Sequence, residues 1–424
     1  MVVLHASKTP GSAMRATSVL TKLLAIEHTR VRAFTLTESS MILTVAPTTR
    51  VPRCGACWRK CLHVHDRRRR RWRHLDVMGV ECLLEAEVRR VRCPRCGVTT
   101  EMVPWAAHDS GFTRAFEMML AFLAQRMDKT SVCRTMRVAW ETVGRVALRV
   151  KERMTIEDPL DGLRHIAIDE LSYRRHHKYI TIVIDERGRV VWAEPGHTKE
   201  TLGKFFDELG QKRAAELETV SVDLSPTFTA VLKERCPNAV IVYDRFHVQR
   251  LAHDALDTVR REQVRAAVGE DARAIKRTRW PLQKNPWNLT DVEIGKLSDV
   301  QRTNRLLYRA YLLKETLAAV LDRRQVNIAR EKLIDWIAWA NRSRLAPFRR
   351  VAKTIKAHID GILAYVSTGL SNARAEARIG TVRTITKRSF GFHSPYSLIG
   401  LIMLCCSGLT LAPPFHGPVL PPKR

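Results

Sequence analysis

The stretch His165-Ile-Ala-Ile-Asp169-Glu170 is a short apolar run that ends in two acidic residues. Val220-Ser-Val-Asp223 repeats this pattern further along the chain. Apolar, β-branched runs of this length, alternating with helical spacing as they do throughout residues 163–245, predict buried strands of an α/β domain. A carboxylate at the end of a buried strand is costly unless it is paired or bound to a metal. Asp169 and Asp223 are therefore the first candidates for a functional site.

A third acid, Glu376, lies in a basic segment with helical spacing. On a helix, Asn372, Glu376, Arg383 and Lys387 share one broad face with Arg388 beside it, so a carboxylate can meet a metal while the cations meet DNA phosphates. Mg²⁺ (or Mn²⁺) prefers oxygen ligands and keeps positions open for water and phosphate. Two such ions can activate the attacking oxygen and stabilise the leaving oxygen of a phosphodiester. Taken singly, each of the three acids is more often a strand-end cap or a surface residue than a catalytic group.

The charge of the chain limits the classes of protein to which it can belong. Its 424 residues include 72 Lys and Arg against 43 Asp and Glu, for a net charge of +29, and 45% of them are hydrophobic. This length allows two to three domains, and the apolar content excludes a disordered basic tail. An enzyme of small metabolites has no need of such a charge, whereas polyanions are attracted by it: nucleic acid first, an anionic membrane surface second. Without a run of about 18 apolar residues or a secretory signal, we expect a soluble cytoplasmic protein with no membrane partner.

Cys54-Gly-Ala-Cys57 and Cys93-Pro-Arg-Cys96 form two CxxC motifs. Two residues between thiolates let both sulfurs point at one ion, and two such motifs complete a tetrahedral four-sulfur Zn²⁺ site. A reducing cytoplasm favours metal ligation over disulfides, and free or redox-active cysteines are the alternative. Cys61 and Cys82 could replace a ligand, but buried apolar cysteines are the simpler interpretation.

Between the two motifs lies a basic run interleaved with one aromatic residue. It consists of Arg67, Arg68, Arg69, Arg70, Arg71, Trp72 and Arg73. A charge run is usually a solvated face. This one lies inside a metal-folded module, and guanidinium groups bind phosphates bidentately, so the pattern favours contact with DNA, chiefly with its backbone.

Residues 112–127, 129–137 and 140–151 have the spacing of three helices. The last two, joined by a tight turn, fit a helix-turn-helix whose second helix carries Arg145 and Arg149. A plain helical linker gives the same pattern and is the alternative.

From about Leu20 onward, the sequence resembles the ISL-three family of insertion-sequence transposases, within the DDE transposases. The segments that carry the resemblance are the Cys54–Cys96 finger with its Arg-rich interior, the helix-turn-helix, Ile168–Tyr173, Tyr179–Asp185, Ser221–Pro226, Val242–Val248, Ser371–Glu376 and Thr386–Phe392. The most distinctive of them are Asp244-Arg-Phe-His247 and the stretch that ends at Glu376.

The resemblance implies an α/β catalytic domain with an RNase H-like mixed sheet and a helical insertion, preceded by a small zinc-finger module and an all-α helix-turn-helix. In that fold the first Asp ends the first strand, the second Asp ends the fourth, and the Glu lies on a later helix. Transferred by position, the triad that would ligate Mg²⁺ is Asp169, Asp223 and Glu376. Asp244 and His247 match an Asp-x-x-His motif near the active site. Asp244 is not expected to be the second catalytic acid, because its strand is the fifth.

The implied domains follow one another along the chain. They are a disordered leader at 1–19, the zinc-finger module at 20–104, the helix-turn-helix at 105–155, the first part of the catalytic domain at 160–249, the helical insertion at 250–368, the Glu helix with the end of the catalytic domain at 369–410, and an irregular tail at 411–424. Within the insertion, Thr290-x-x-Glu293 predicts a capping box that opens a helix.

The function implied is that of a DNA transposase. It would bind the terminal inverted repeats of an insertion sequence through the finger and the helix-turn-helix. It would then cut a strand at the element end and join the freed 3′-hydroxyl to target DNA. Bringing two ends together implies a homo-oligomer on double-stranded DNA. Two rivals are a catalytically silent DNA-binding regulator derived from a transposase, and a Mg²⁺-dependent nuclease of the same fold that never joins strands.

Overall fold

The structure is a computed structural model. It describes residues 15–155, 157–174, 178–368, 373–388 and 394–414, with the backbone alone for residues 368, 373 and 374. The chain divides into two compact units, one formed by Met1–Glu152 with Thr410–Arg424 and the other by Arg153–Leu409. No helix in the described ranges is long and apolar enough to cross a membrane.

The first unit contains a β-sheet that carries the cysteines. Its elements are α1 (Ala16–Leu24), β1 (Thr29–Leu36), β2 (Ser40–Pro47), β3 (Val64–Arg73), β4 (Glu81–Cys93) and β5 (Gly97–Thr100). The strand order is β1-β2-β4-β3, and β5 also pairs with β4. A compact core that includes Trp72, Leu84 and Trp105 lies against this sheet, while Cys54, Cys61 and Val91 belong to a separate small cluster.

Three helices follow the sheet within the same part of the chain. They are α2 (Arg114–Ala124), α3 (Lys129–Met136) and α4 (Trp140–Met154). Thr113 and Asp128 cap the first two by accepting backbone N–H groups, which satisfies donors that a helix start leaves open. Arg137 ends α3 in the left-handed conformation, and α4 begins three residues later, so the predicted helix-turn-helix is confirmed.

The second unit is built on a mixed sheet. Its strands are β6 (His165–Arg174), β7 (Lys178–Asp185), β8 (Val190–Pro195), β9 (Thr219–Val222) and β10 (Val240–Tyr243). They lie in the order β10-β9-β6-β7-β8, with β9 parallel to both β6 and β10, and β7 antiparallel to both β6 and β8. The three first strands therefore form a meander, and the fourth and fifth lie on the other side of the first, as the RNase H-like prediction requires.

Helices surround this sheet and continue its core. They are α5 (Lys199–Leu209), α6 (Gln211–Ala215), α7 (Pro226–Arg235), α8 (Arg245–Ala266), α9 (Gly269–Lys276), α10 (Arg279–Gln283), α11 (Asp291–Thr303), α12 (Arg305–Leu321), α13 (Val326–Arg342), α14 (Ala346–Ala357), α15 (Ile359–Thr368), α16 (Ala373–Arg388) and α17 (Pro395–Cys406). The capping box of Thr290 and Glu293 at the start of α11 is confirmed. One apolar core runs from Phe205 beside the sheet to Trp336 and Phe348 in the insertion. The sheet and the insertion thus support each other through a common core.

Candidate active site and DNA-binding elements

A pocket at the middle of the second sheet collects the predicted acids. It is lined by Asp169 on β6, Asp223 after β9, Asp244 and His247 at the start of α8, and Glu376 in the first turn of α16, with apolar neighbours between them. The structure therefore brings together the three residues predicted as the triad and the two predicted beside it. These residues come from four separate segments of the sequence, so tertiary folding alone creates the pocket.

Strand register explains why the aspartates meet. Ala167 on β6 lies opposite Ser221 on β9, and Ser221 lies opposite Val242 on β10. Each of the three aspartates comes two residues after one of these positions, so they form a row across the sheet. Neighbouring strands are about 4.8 Å apart. Asp223 is therefore the direct neighbour of Asp169, and Asp244 lies one strand further away.

The hydrogen bonds of Asp223 and Asp244 differ in a way that matters for metal binding. Asp244 is the N-cap of α8, and its Oδ1 accepts the backbone N–H of Phe246 at 2.9 Å. Asp223 has a buried Oδ1 with no hydrogen-bond partner among the described residues. A buried oxygen without a donor is costly, and a cation would satisfy it.

The electrostatics of the pocket also fit a cation-binding site. Burial is the main cause that raises the pKa of Asp169, while its bond from the Glu170 backbone and the nearby His247 and Arg383 act against it. Burial, followed by the neighbouring carboxylates, raises the pKa of Glu170 to about 7. Burial likewise raises the pKa of Glu376, with a further contribution from Asp244. Several desolvated carboxylates in one place are the donor set that a hard divalent ion prefers.

The triad does not form a closed cage in this structure. A compact metal site would bring at least three ligand atoms of His, Cys, Asp or Glu within 4.8 Å of one another. Within the described ranges, only four cysteines meet this condition. The carboxylate oxygens of Asp169, Asp223 and Glu376 are thus spread more widely around the pocket. Glu170 belongs to the same acidic neighbourhood, yet sequence reasoning assigned it no role although it directly follows Asp169.

The four predicted zinc ligands do lie together. The Sγ atoms of Cys54, Cys57, Cys93 and Cys96 are within 4.8 Å of one another, with 3.6 Å between those of Cys57 and Cys93. Backbone N–H groups, that of Arg95 first, lower the pKa of Cys93 to about 6. A hydrogen bond to Cys57 is the main cause that raises the pKa of Cys96 to about 12. Four sulfurs in this arrangement fit a structural Zn²⁺ site.

The two other cysteines of this region are outside the ligand group. Cys61 is buried beside it, and burial raises the pKa of its thiol. Cys82 is buried in the larger core of the unit, and burial raises its pKa to about 11. Both positions fit the interpretation of buried apolar cysteines.

The basic run forms β3, an edge strand, and its members differ in their contacts. Arg71 donates to Glu85 at 2.7 Å, Arg67 pairs with Glu87 at 3.5 Å, and Arg73 pairs with Asp76 and Glu81 and is largely buried. Arg69 lies 3.9 Å from Glu85. The exposed side chain of Arg68 has no ion-pair or hydrogen-bond partner among the described residues, and the Arg70 guanidinium lies over the Trp72 ring.

Trp72 departs from the prediction that it faces DNA. Its side chain is 1% exposed and packs edge-on against Trp105, with 5.5 Å between ring centroids. On β3 it points to the core because alternate strand residues face opposite sides, and a bulky apolar ring gains most by taking the covered side. It therefore supports the arginine strand from beneath instead of contacting a ligand.

The remaining predicted DNA contacts lie on two helices. On α4, Arg145 is exposed, while Arg149 pairs with the buried Glu117 at 3.0 Å. On α16, the exposed Arg383 is near enough to Asp169 to lower its pKa, and Lys387 and Arg388 are exposed at the helix end. Asn372 lies outside the described residues.

Comparison with known proteins adds independent findings to this geometry. Family models match residues 166–402 (a transposase of ISL3 type), residues 101–150 (the helix-turn-helix domain of transposase family ISL3) and residues 50–96 (the zinc-finger of transposase IS204/IS1001/IS1096/IS1165). The transposase for insertion sequence element IS1557 of Mycobacterium tuberculosis is 42% identical over 402 residues, which cover 88% of both chains. The transposase for insertion sequence element IS1001 of Bordetella parapertussis is 28% identical over 353 residues, which cover 82% of this chain and 87% of its own. The chain belongs to the ISL3 family of transposases.

Proposed function

We propose that this transposase binds the terminal inverted repeats of its insertion sequence, cuts DNA there and joins the ends to target DNA at the pocket of Asp169, Asp223 and Glu376. The observation that carries the proposal is the row of strand-end carboxylates facing Glu376, with the Asp223 Oδ1 buried and without a partner among the described residues. Burying several carboxylates side by side costs free energy, and a cation bound for the reaction would offset that cost.

Asp169, Asp223 and Glu376 would hold Mg²⁺ (or Mn²⁺), which supplies Lewis-acid activation of oxygen when bound. Arg383 places positive charge near Asp169, and His247 lines the pocket, so the two side chains can bind the scissile phosphate. Ile168, Val222 and Ile379 line the pocket between the acids and reduce access of bulk water.

Each chemical step exchanges one P–O bond for another. Water attacks the phosphodiester at the element end, and the bond to the 3′-oxygen breaks, which leaves a 3′-hydroxyl. That hydroxyl then attacks a target phosphodiester and displaces another 3′-oxygen, which takes up a proton. No oxidant and no covalent bond between protein and DNA are required, so the carboxylates need only bind, orient and accept protons.

DNA ends would be held by the first unit. The zinc ribbon, with Arg68 and Arg70 on β3, would contact backbone phosphates, and α4 with Arg145 would lie in a groove. Joining two ends to one target needs two copies of the pocket, so the active species would be a homo-oligomer on double-stranded DNA.

The decisive experiment uses purified full-length protein, Mg²⁺, labelled inverted-repeat DNA and a target plasmid. Asp169→Asn should keep affinity for the repeat and lose both cutting and joining. Asp360→Asn, which changes an exposed aspartate outside the pocket, is the matched control and should retain both. Repeat binding by the wild type without cutting would identify a silent regulator, and cutting without joining would identify a nuclease.

A further inference from the structure

The helical insertion contains a basic face that none of the functions above uses. Between Asp335 and Asp360 the chain has no acidic residue, yet it has six arginines and lysines, all of them exposed. They are Arg342, Arg344, Arg349, Arg350, Lys353 and Lys356, and we call them the α14 face. Within the described residues, none of the six has an ion-pair partner.

The four cations within α14 point to one side of a firmly packed helix. Lys353 lies four residues after Arg349 and three after Arg350, and Lys356 lies three residues further on, which places all four cations on one broad face. The opposite side is buried in the main core, where Phe348 is fully covered. The face is therefore presented on a rigid support.

A solvated charge run does not explain this arrangement well. Like charges three and four residues apart on a helix repel each other and lower helix stability. Some exposed cations elsewhere in the insertion have acidic partners: Arg302 pairs with Asp299 at 2.8 Å, Arg330 with Asp360 at 3.0 Å, and Lys332 with Asp335 at 3.4 Å. The cations of the α14 face have no such partner among the described residues, and they lie in a stretch of 24 residues, 336–359, that contains no acid. The charge of this stretch is therefore available to an anionic partner.

The position of α14 connects this face to the pocket. The helix ends at Ala357, and the ring of its C-cap residue, His358, meets the Tyr243 ring edge-on at 4.9 Å between centroids. Tyr243 directly precedes Asp244 of the pocket. Close packing maintains this junction, because a Cβ added at Gly361 would lie 2.5 Å from the Tyr243 ring. The cations thus begin near the edge strand of the catalytic sheet and extend along a helix about 18 Å long, comparable to about five base pairs.

We propose that the α14 face binds the phosphate backbone of target DNA and holds the duplex beside the pocket during strand transfer. The proposal rests on the proposed function for its choice of DNA. The first unit already provides modules for the element end, whereas a target needs a surface on the catalytic unit that reads no sequence. Phosphate contacts have this property. The exposed residues among the cations include only small apolar side chains such as Ala346 and Ala357, and they lack the large anchors of a membrane-binding helix.

The test compares two triple variants of the full chain with the same change in charge. Arg349→Gln/Arg350→Gln/Lys353→Gln removes unpaired cations of the face. Arg302→Gln/Arg330→Gln/Lys332→Gln removes exposed cations of the same insertion that have acidic partners. Equal thermal melting of the two proteins and the wild type establishes that folding is intact.

The first measurement requires no chemistry. Affinity for a duplex without the inverted repeat is followed against salt concentration, with Zn²⁺ present and Mg²⁺ absent. Each lost phosphate contact should reduce the slope of log K against log salt by about 0.9, so the face variant should show a slope smaller by about 1 to 3. The control variant should keep the wild-type slope. An unchanged slope in the face variant, or an equal change in both variants, overturns the proposal.

The second measurement uses pre-cut ends and varied target concentration. The face variant should need on the order of tenfold more target for half-maximal joining, and its maximal rate and its cutting of uncut repeats should be unchanged. A parallel loss of repeat binding or cutting would assign the face to the element end and overturn the proposal. If the wild type binds duplex DNA but joins nothing, the proposed function fails, while the salt slopes still decide whether the face binds DNA.

Discussion

Replacing one zinc ligand should unfold the ribbon without unfolding the larger core of the first unit. In Cys93→Ser, three of the four sulfurs remain, and the backbone N–H that lowers the pKa of Cys93 loses its thiolate acceptor. The small cluster around the ligands contains few other buried apolar residues, chiefly Val91 and Cys61. The core that includes Trp72 and Trp105 is a separate cluster and should persist.

The magnitude follows from the segment that zinc must hold. Ordering the ten residues from Pro52 to Cys61 costs about 10–20 kcal/mol of backbone entropy. Burial of Val91 and Cys61 returns only about 2–4 kcal/mol. Binding of structural zinc contributes about 10–16 kcal/mol in comparable sites, which is enough to offset the remaining entropy cost of ordering this segment. Without a complete ligand set, the segment should therefore be unfolded under native conditions.

The assay combines metal content, limited proteolysis and affinity for the inverted repeat. Cys93→Ser should lose its zinc and become cleavable between Pro52 and Cys61. It should also bind the repeat at least tenfold more weakly, which corresponds to a loss of about 1.4 kcal/mol of binding free energy. Cys61→Ala removes a buried thiol beside the ligands and should keep the metal. The reasoning is refuted if Cys93→Ser retains one zinc per chain and full repeat affinity, or if Cys61→Ala loses the metal.

Three further predictions concern other parts of the chain. Gly55→Ala should lower zinc affinity, measured by competition with a chelator, because the new Cβ would lie 2.4 Å from the His108 ring; an unchanged affinity contradicts this. Lys314→Ala should lower the free energy of unfolding by about 2–5 kcal/mol in urea denaturation, because its buried Nζ donates to the carbonyls of Leu282 and Lys284 at 3.0 and 3.2 Å, and a loss below 1 kcal/mol counts against it. Burial lowers the pKa of His74 from 6.5 to about 4. Between these pH values, His74 binds a proton in the unfolded chain but not in the folded chain. Stability should then fall by at most about 3 kcal/mol as pH drops from about 6.5 to 4, and His74→Gln should flatten this pH dependence of melting.

Sequence patterns predicted the features that depend on nearby residues. The strand ending at Asp223, the helices on either side of Arg137 and the capping box of Thr290 each rest on a short pattern of residue types, and the structure contains all of them. The paired CxxC motifs belong to this class as well, because each motif fixes two ligands through local geometry. Local rules therefore sufficed for the elements and for the zinc site.

Apart from the meeting of the two CxxC motifs, which follows from the four ligands that zinc requires, contacts between distant segments could not be predicted in this way. Trp72 lies in a run of arginines, and its burial depends on Trp105, which is far from it in sequence. Arg73 pairs with Asp76 and Glu81, and Arg149 pairs with Glu117 on another helix. From the sequence alone, a basic residue that pairs with an acidic side chain cannot be distinguished from one whose side chain is free to bind DNA. The structure supplies that distinction.

The ion pairs also show how the net charge of +29 can act near the acidic pocket. His247 and Arg383 act against the burial that raises the pKa of Asp169, yet neither forms an ion pair with it among the described residues. If either made a tight bond to the carboxylate, it would satisfy the oxygen and compete with a divalent ion. At a distance, the same side chains oppose the burial that raises the pKa of Asp169, and they can attract a phosphate without occupying the ligand position. The excess positive charge thus favours DNA, and its separation from the acids leaves them able to bind a metal.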